Sequence, residues 1–165
     1  MVHTVYGPNG EYLVGVISDT HGLVRPEAVT ALQGVSLIIH AGDVGTPEVL
    51  EQLRIVAPVV AVRGNTDQDY WARELSLTEV VEVGTVSFYV LHNVSELDLD
   101  PVVSGFSAVI SGHSHQPLID RRNGVLFLNP GSAGVRKLKL FPSVAVLTVK
   151  DKSINARIIG LGGMR

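Results

Sequence analysis

Residues 12–43 read "YLVGVISDTHGLVRPEAVTALQGVSLIIHAGD". Two apolar runs, "YLVGVIS" (12–18) and "VSLIIHA" (35–41), enclose a helical pattern, "PEAVTALQ" (26–33). An apolar run without polar alternation is expected of a strand covered on both faces. Pro26 stands at the first helical position, where its missing N–H leaves nothing unpaired. The same alternation continues. "TPEVLEQL" (46–53) is a second helix, with Thr46 as a candidate cap and Pro47 just inside, and "PVVAVRG" (58–64) is a third strand. Strand–helix–strand–helix–strand predicts a parallel sheet covered by helices.

Beyond residue 64 the pattern changes. "TEVVEV" (78–83), "VSFYVLH" (86–92), "SAVISG" (107–112), "PLIDRR" (117–122), "VLFLNPG" (125–131), "SVAVLTVK" (143–150) and "SINARIIG" (153–160) read as strands with short connections. "RNGV" (122–125) is a strong hairpin signal and "KDKS" (150–153) a second one. One short turn or helix is expected between 95 and 106. The reading is two sheets within one domain.

The chain has 165 residues, which is enough to bury roughly 70% of its unfolded surface without a staple, and a net charge of −3. Its only basic clusters are "RR" (121–122) and "RKLK" (136–139), so no strong nucleic-acid signature is present. There is no cysteine, which leaves nitrogen and oxygen to bind any metal. The start has no cationic, apolar leader pattern, and no apolar run is long enough to span a membrane. The expectation is a cytoplasmic protein. Charged residues are only 18%. That fits either many buried strands or a covered face in a homo-oligomer.

Metal-competent side chains stand at the carboxyl ends of the expected strands, where open parallel sheets place their sites. "SDTHG" brings Asp19 and His21, "AGD" brings Asp43, "RGNTD" brings Asn65, "VLHN" brings His92 and "SGHSH" brings His113 and His115. In extended chain, residues i and i+2 point the same way. Asp19 and His21 are therefore expected to reach one centre, and His113 and His115 one centre or two adjacent ones.

The ordered series D-T-H, G-D, G-N-T-D, H, G-H-S-H resembles the calcineurin-like metallophosphoesterases. It is most similar to their small single-domain prokaryotic phosphodiesterases, whose "NPGS" segment "NPGSAGVRK" (129–137) resembles. The resemblance implies an α/β fold of two stacked mixed β-sheets flanked by helices, an α-β-β-α sandwich, with 1–165 as a single domain. It implies two divalent metal ions, one held by Asp19, His21, Asp43 and His115, the other by Asp43, Asn65, His92 and His113. Asp43 would bridge them. Mn²⁺ is the implied metal, with Fe²⁺, Co²⁺, Zn²⁺ and Ni²⁺ as alternatives. Two such cations clamp phosphoryl oxygens and activate a bridging water. Asp43, Asn65 and His92 are accordingly the candidate catalytic residues, and Thr66 and Arg63 the candidate substrate contacts. A small phosphate diester is the implied substrate. The alternative from the same fold is a non-catalytic scaffold that binds partner proteins, a route on which metal ligands would be lost.

Two positions depart from the family pattern. Thr66 stands where many members keep a histidine that protonates the leaving oxygen, and Asn93 stands where they keep glycine. Among the other residues, His40 is expected to pack behind the ligands and His3 to lie in an exposed tail. Asp67 either orients a ligand or caps a turn. Surface ion pairs are the stronger reading for Arg63 and Arg136. "NPGSAG" is a site rim or a plain turn. Tyr70 and Trp71 either line the substrate approach or pack under a loop.

Overall fold

A computed structural model describes residues 2–5, 10–134 and 139–162. Eleven strands are present among them: β1 (Val2–Val5), β2 (Glu11–Ile17), β3 (Leu37–His40), β4 (Val59–Ala61), β5 (Thr78–Val83), β6 (Val86–Leu91), β7 (Ala108–Ile110), β8 (Leu118–Arg122), β9 (Val125–Asn129), β10 (Ser143–Lys150) and β11 (Ser153–Gly160). Helices α1 (Pro26–Ala31) and α2 (Pro47–Val56) are the two crossovers of the first half.

The strands form two sheets, ordered β11-β10-β2-β3-β4 and β1-β5-β6-β7-β9-β8. In the first sheet β2, β3 and β4 run parallel and the β10–β11 hairpin adds antiparallel to β2. In the second, β6, β7 and β9 run parallel, with β5 antiparallel to β6 and β8 antiparallel to β9. Both sheets are mixed, and their facing sides share one core. Val14, Val16, Ile39 and Leu147 from the first sheet pack with Phe88, Val90, Ile110 and Leu128 from the second. α1 and α2 cover the other face of the first sheet, burying Ala28, Leu32, Val49 and Leu53 on Ile17, Ile38 and Val146. Leu97, Leu99 and Phe106 cover Tyr89, Val109 and Phe127 on the far side of the second. Their segment is helical only as one 3-10 turn, Val94–Glu96.

Most expected elements occur within a few residues of their expected ends. Asn123 and Gly124 both take positive φ, 52° and 80°, as a two-residue hairpin requires. Pro26 and Pro47 open their helices, but the Thr46 side chain makes no capping bond. Strand β1 was not expected. It pairs parallel to β5, and His3 Nε2 lies 3.0 Å from Glu79 Oε2. His3 is therefore a half-buried strand residue rather than an exposed tail. Four residues are too few for a period to show in sequence.

Sheet packing matters most for the site. The parallel strands β2, β3 and β4 end on the same edge as β6 and β7, so both sheets contribute to one loop cluster.

Candidate metal centre

Each of these strands ends in a tight turn. Asp19, His21, Asp43, His113 and His115 all have positive φ, between 46° and 71°. A side chain in this region costs of order 1 kcal/mol each. The expectation that pairs at i and i+2 converge as extended chain is thus corrected: left-handed turns aim these side chains. The turns also separate the last pair. His113 goes to Asn65, with Nδ1 3.1 Å from Oδ1. His115 goes to Asp19, with Nε2 3.3 Å from Oδ1.

Bonds between loops hold these conformations. Asp19, His21 and Gly22 donate their N–H groups to the carbonyls of Gly42, Asp43 and Val44. The buried carboxylate of Asp67 accepts from Val44 N, Gly45 N and Gly64 N at 2.9–3.1 Å. It neither faces a ligand nor caps one turn; it ties the Asp43 loop to the Asn65 loop. Gly64 is required by contact, since a Cβ there would strike the backbone and carboxylate of Asp43. "NPGSAG" is more than a turn. Asn129 Nδ2 donates to Gly112 O (2.8 Å), Ser132 Oγ to Asp19 O (3.0 Å) and Ala133 N to Ser18 O (2.9 Å). Arg25 reaches across to Gly134 O at 2.8 Å. The bracing roles of Ser18, Thr20, Arg25, Asn129 and Ser132 carried no sequence signal, because one polar side chain in a loop has no period.

The converging atoms are close. Asp43 Oδ2 lies 3.3 Å from His92 Nε2 and 3.8 Å from His21 Nε2. Asp19 Oδ1 lies 4.0 Å from both of those nitrogens. Asp19, His21 and His115 form one group of donors within 4.8 Å, and Asp19, Asp43 and His92 a second. Asp19 is common to both groups, whereas Asp43, the expected bridge, belongs to the second and lies 3.8 Å from His21 of the first. The His113 ring lies 5.2 Å from that of His92. Asn65 and His113 are exposed at the rim.

Electrostatics favour a cation here. His92 Nδ1 donates to Ala41 O at 2.7 Å, so the neutral ring turns an unprotonated Nε2 toward two carboxylates. Burial opposes charging this ring, but Asp43, the Ala41 carbonyl and Asp19 outweigh burial and raise its pKa. Burial likewise works against the Asp43 carboxylate, yet His92 and the Thr66 backbone N–H hold its pKa well below the usual range. Asp19 Oδ1, His92 Nε2 and His115 Nδ1 are buried without a hydrogen-bond partner. Buried polar atoms without partners are costly, and a metal ion would satisfy the two that face the shared space. The donors are imidazole and carboxylate with one amide, which suits a first-row divalent ion.

His40 is fully buried behind the loops. Thr20 Oγ1 donates to Val44 O, so at 2.9 Å it accepts from His40 Nε2, while His40 Nδ1 accepts from Gly42 N. Burial, with His92 next, lowers its pKa to about 3. Thr66 contributes its backbone N–H to Asp43 Oδ1 at 3.0 Å. Asn93 has φ −116°, so the departure from glycine demands no left-handed backbone, and its side chain caps the next turn through Ser95. Arg63 makes no ion pair among the described residues, contrary to expectation, and lines a cleft of about 690 Å³ beside Asn65, His92 and His113. Tyr70 is 82% exposed, whereas Trp71 packs on the helix-side core. Arg136 lies outside the described residues. No helix among them is long and apolar enough to cross a membrane.

Comparison with known proteins agrees with this geometry. A probable metallophosphoesterase of Methanothermobacter thermautotrophicus is 38% identical over 162 residues, 91% of this chain and 93% of that one. The solved structure of an archaeal phosphodiesterase superposes with a TM-score of 0.73 at 24% identity, covering 89% of this chain and 99% of that one. Vacuolar Protein Sorting 29 of Cryptosporidium parvum superposes with a TM-score of 0.74 at 20% identity, covering 92% and 98%. At such identities the two structures establish the fold alone. Residues 12–152 match the calcineurin-like phosphoesterase superfamily domain, and the chain belongs to that superfamily.

Proposed function

We propose that the chain, acting as one domain over residues 1–165, is a binuclear metal-dependent phosphodiesterase, with Mn²⁺ as the working metal. The observation that carries this reading is the pair Asp19 Oδ1 and His92 Nε2, both buried, unpartnered and facing the same space. Asp19, His21, Asp43 and His115 would hold one ion and Asp43, Asn65, His92 and His113 the other. When bound, such ions polarise phosphoryl oxygens and acidify water. The protein's own part is positional. Ala41 fixes the His92 tautomer, Asp67 spaces the Asp43 and Asn65 loops, and Ser18 Oγ and His113 N fix Asp19 through Oδ2 at 2.7 and 3.1 Å.

The leaving group has little help. Thr66 offers only a hydroxyl, and both nitrogens of His40 are engaged. A missing general acid typically forfeits 10²–10⁴-fold, so esters with acidic alcohols are favoured. The scaffold alternative is disfavoured because all seven ligand side chains are retained. The test is hydrolysis of a series of aryl methyl phosphates by the Mn²⁺-loaded protein. Rates should fall steeply as the phenol's pKa rises, and metal analysis should approach two equivalents. Saturation at one equivalent would overturn the binuclear reading. A flat dependence would show that another group delivers the proton.

A further inference from the structure

The loops after β2 and β3 carry Asp19, His21 and Asp43. Three backbone bonds tie them, Asp19 N to Gly42 O, His21 N to Asp43 O and Gly22 N to Val44 O, at 2.8–3.0 Å. A fourth tie runs through side chains. His40, the last residue of β3, and Thr20, between Asp19 and His21, are both fully buried. Gly42 N can only donate, so His40 Nδ1 is unprotonated and Nε2 carries the ring's proton. Nε2 donates to Thr20 Oγ1 at 2.9 Å, and Oγ1 donates onward to Val44 O at 2.8 Å. The chain of bonds starts at the residue before Asp43, crosses to the residue after Asp19, and returns to the residue after Asp43. Both ring nitrogens are occupied by it, so the imidazole holds no ion itself.

This tie bears unequally on the two ligand sets. Asp19, His21 and Asp43 come from the two tied loops, and Asp43 Oδ2 stands 3.8 Å from His21 Nε2 across them. The set Asp43, Asn65, His92 and His113 takes only Asp43 from these loops, and Asp67 separately fixes the Asp43 loop to the Asn65 loop. We propose that His40 and Thr20 are a positioning pair for one metal ion. They set Asp19 and His21 against Asp43, and so the affinity of the centre completed by His115 but not of the centre containing Asn65. This rests on the two ligand sets of the binuclear reading.

The test is Mn²⁺ titration calorimetry of the metal-free protein in two backgrounds. His113→Ala leaves the centre completed by His115, and His115→Ala leaves the centre containing Asn65. Thr20→Val keeps the side chain's shape and deletes its hydroxyl. It should weaken Mn²⁺ binding about tenfold in the first background, the low end of what losing a partner behind the ligands costs. In the second background the change should stay below about twofold. Thr20→Ser should restore the affinity. His40→Leu should repeat the loss, and Thr20→Val/His40→Leu should not add to it, as for residues in one bonded network. Urea unfolding of the metal-free forms separates this from a merely structural role, because the stability loss should be the same in both backgrounds while the affinity loss is not. Equal weakening in both backgrounds, no weakening in the first, or losses that add overturn the proposal and leave the binuclear reading intact. If the parent chain saturates at one Mn²⁺, the binuclear reading falls. The proposal is then decided on that one ion, which must weaken in Thr20→Val and recover in Thr20→Ser.

Discussion

His113 and His115 are separated by one serine and yet serve different neighbours. Their positive φ values, 71° and 62°, send one ring to Asn65 and His92 and the other to Asp19 and His21. Alanine at the two positions should therefore have distinct effects. His113→Ala should lose the ion associated with Asn65, and His115→Ala the ion associated with His21, each leaving one tight site in a Mn²⁺ titration followed by calorimetry. Two tight sites in either variant would contradict the assignment. His40 permits a second residue-level prediction. Its folded pKa, about 3, lies below its unfolded value of 6.5. Below pH 6.5 the unfolded chain takes up a proton that native His40 refuses. Stability should fall as pH drops from 6.5 toward 3, by up to about 1.4 kcal/mol per pH unit, with no contribution above 6.5. His92, with a raised pKa, acts in the opposite sense and is common to parent and variant. Urea unfolding of the metal-free protein from pH 7.5 to 4.5 should therefore show a shallower acid loss in His40→Gln than in the parent.

Among the elements, the strand-end loops behave as one bonded unit. Asp67 holds three N–H groups of two loops, and only a carboxylate can accept from all three at once. Asp67→Asn replaces one acceptor oxygen by a donor that faces other donors. It should cost about 1–3 kcal/mol of stability, the usual penalty for an unsatisfied buried group. Metal affinity should weaken with it, although Asp67 itself binds no ion. An unchanged Mn²⁺ affinity in this variant would mean that the Asp43 and Asn65 loops hold their spacing without it. "NPGSAG" has the same character, since Asn129 and Ser132 act on the Asp19 and Gly112 loops rather than on a ligand.

For the whole molecule, the core and the site are separable. The facing sheets bury Phe88, Ile110, Leu128 and Leu147 below the loop cluster, and none of the seven candidate ligands belongs to that core. Chelation should leave the far-ultraviolet circular dichroism unchanged and lower the Tm by several degrees. Restored Mn²⁺ should recover it by mass action, about 2.7 kcal/mol at a hundredfold excess over Kd. Unfolding on chelation would show that the site, not the sandwich, holds the fold.

The sequence by itself determined the strand–helix alternation, the hairpins at 122–125 and 150–153, and the seven ligand candidates. Apolar runs and turn residues are local signals, and a short polar motif after a strand needs no tertiary information to be noticed. Tertiary structure alone decided the rest. β1 gains its place only by pairing with β5, 73 or more residues away along the chain. His40 and Asp67 differ in role from His92 and Asp43 only through what surrounds them. The division of His113 from His115, and the sharing of Asp19 between both groups of donors, follow from backbone turns that are strained alone and held by bonds from other loops.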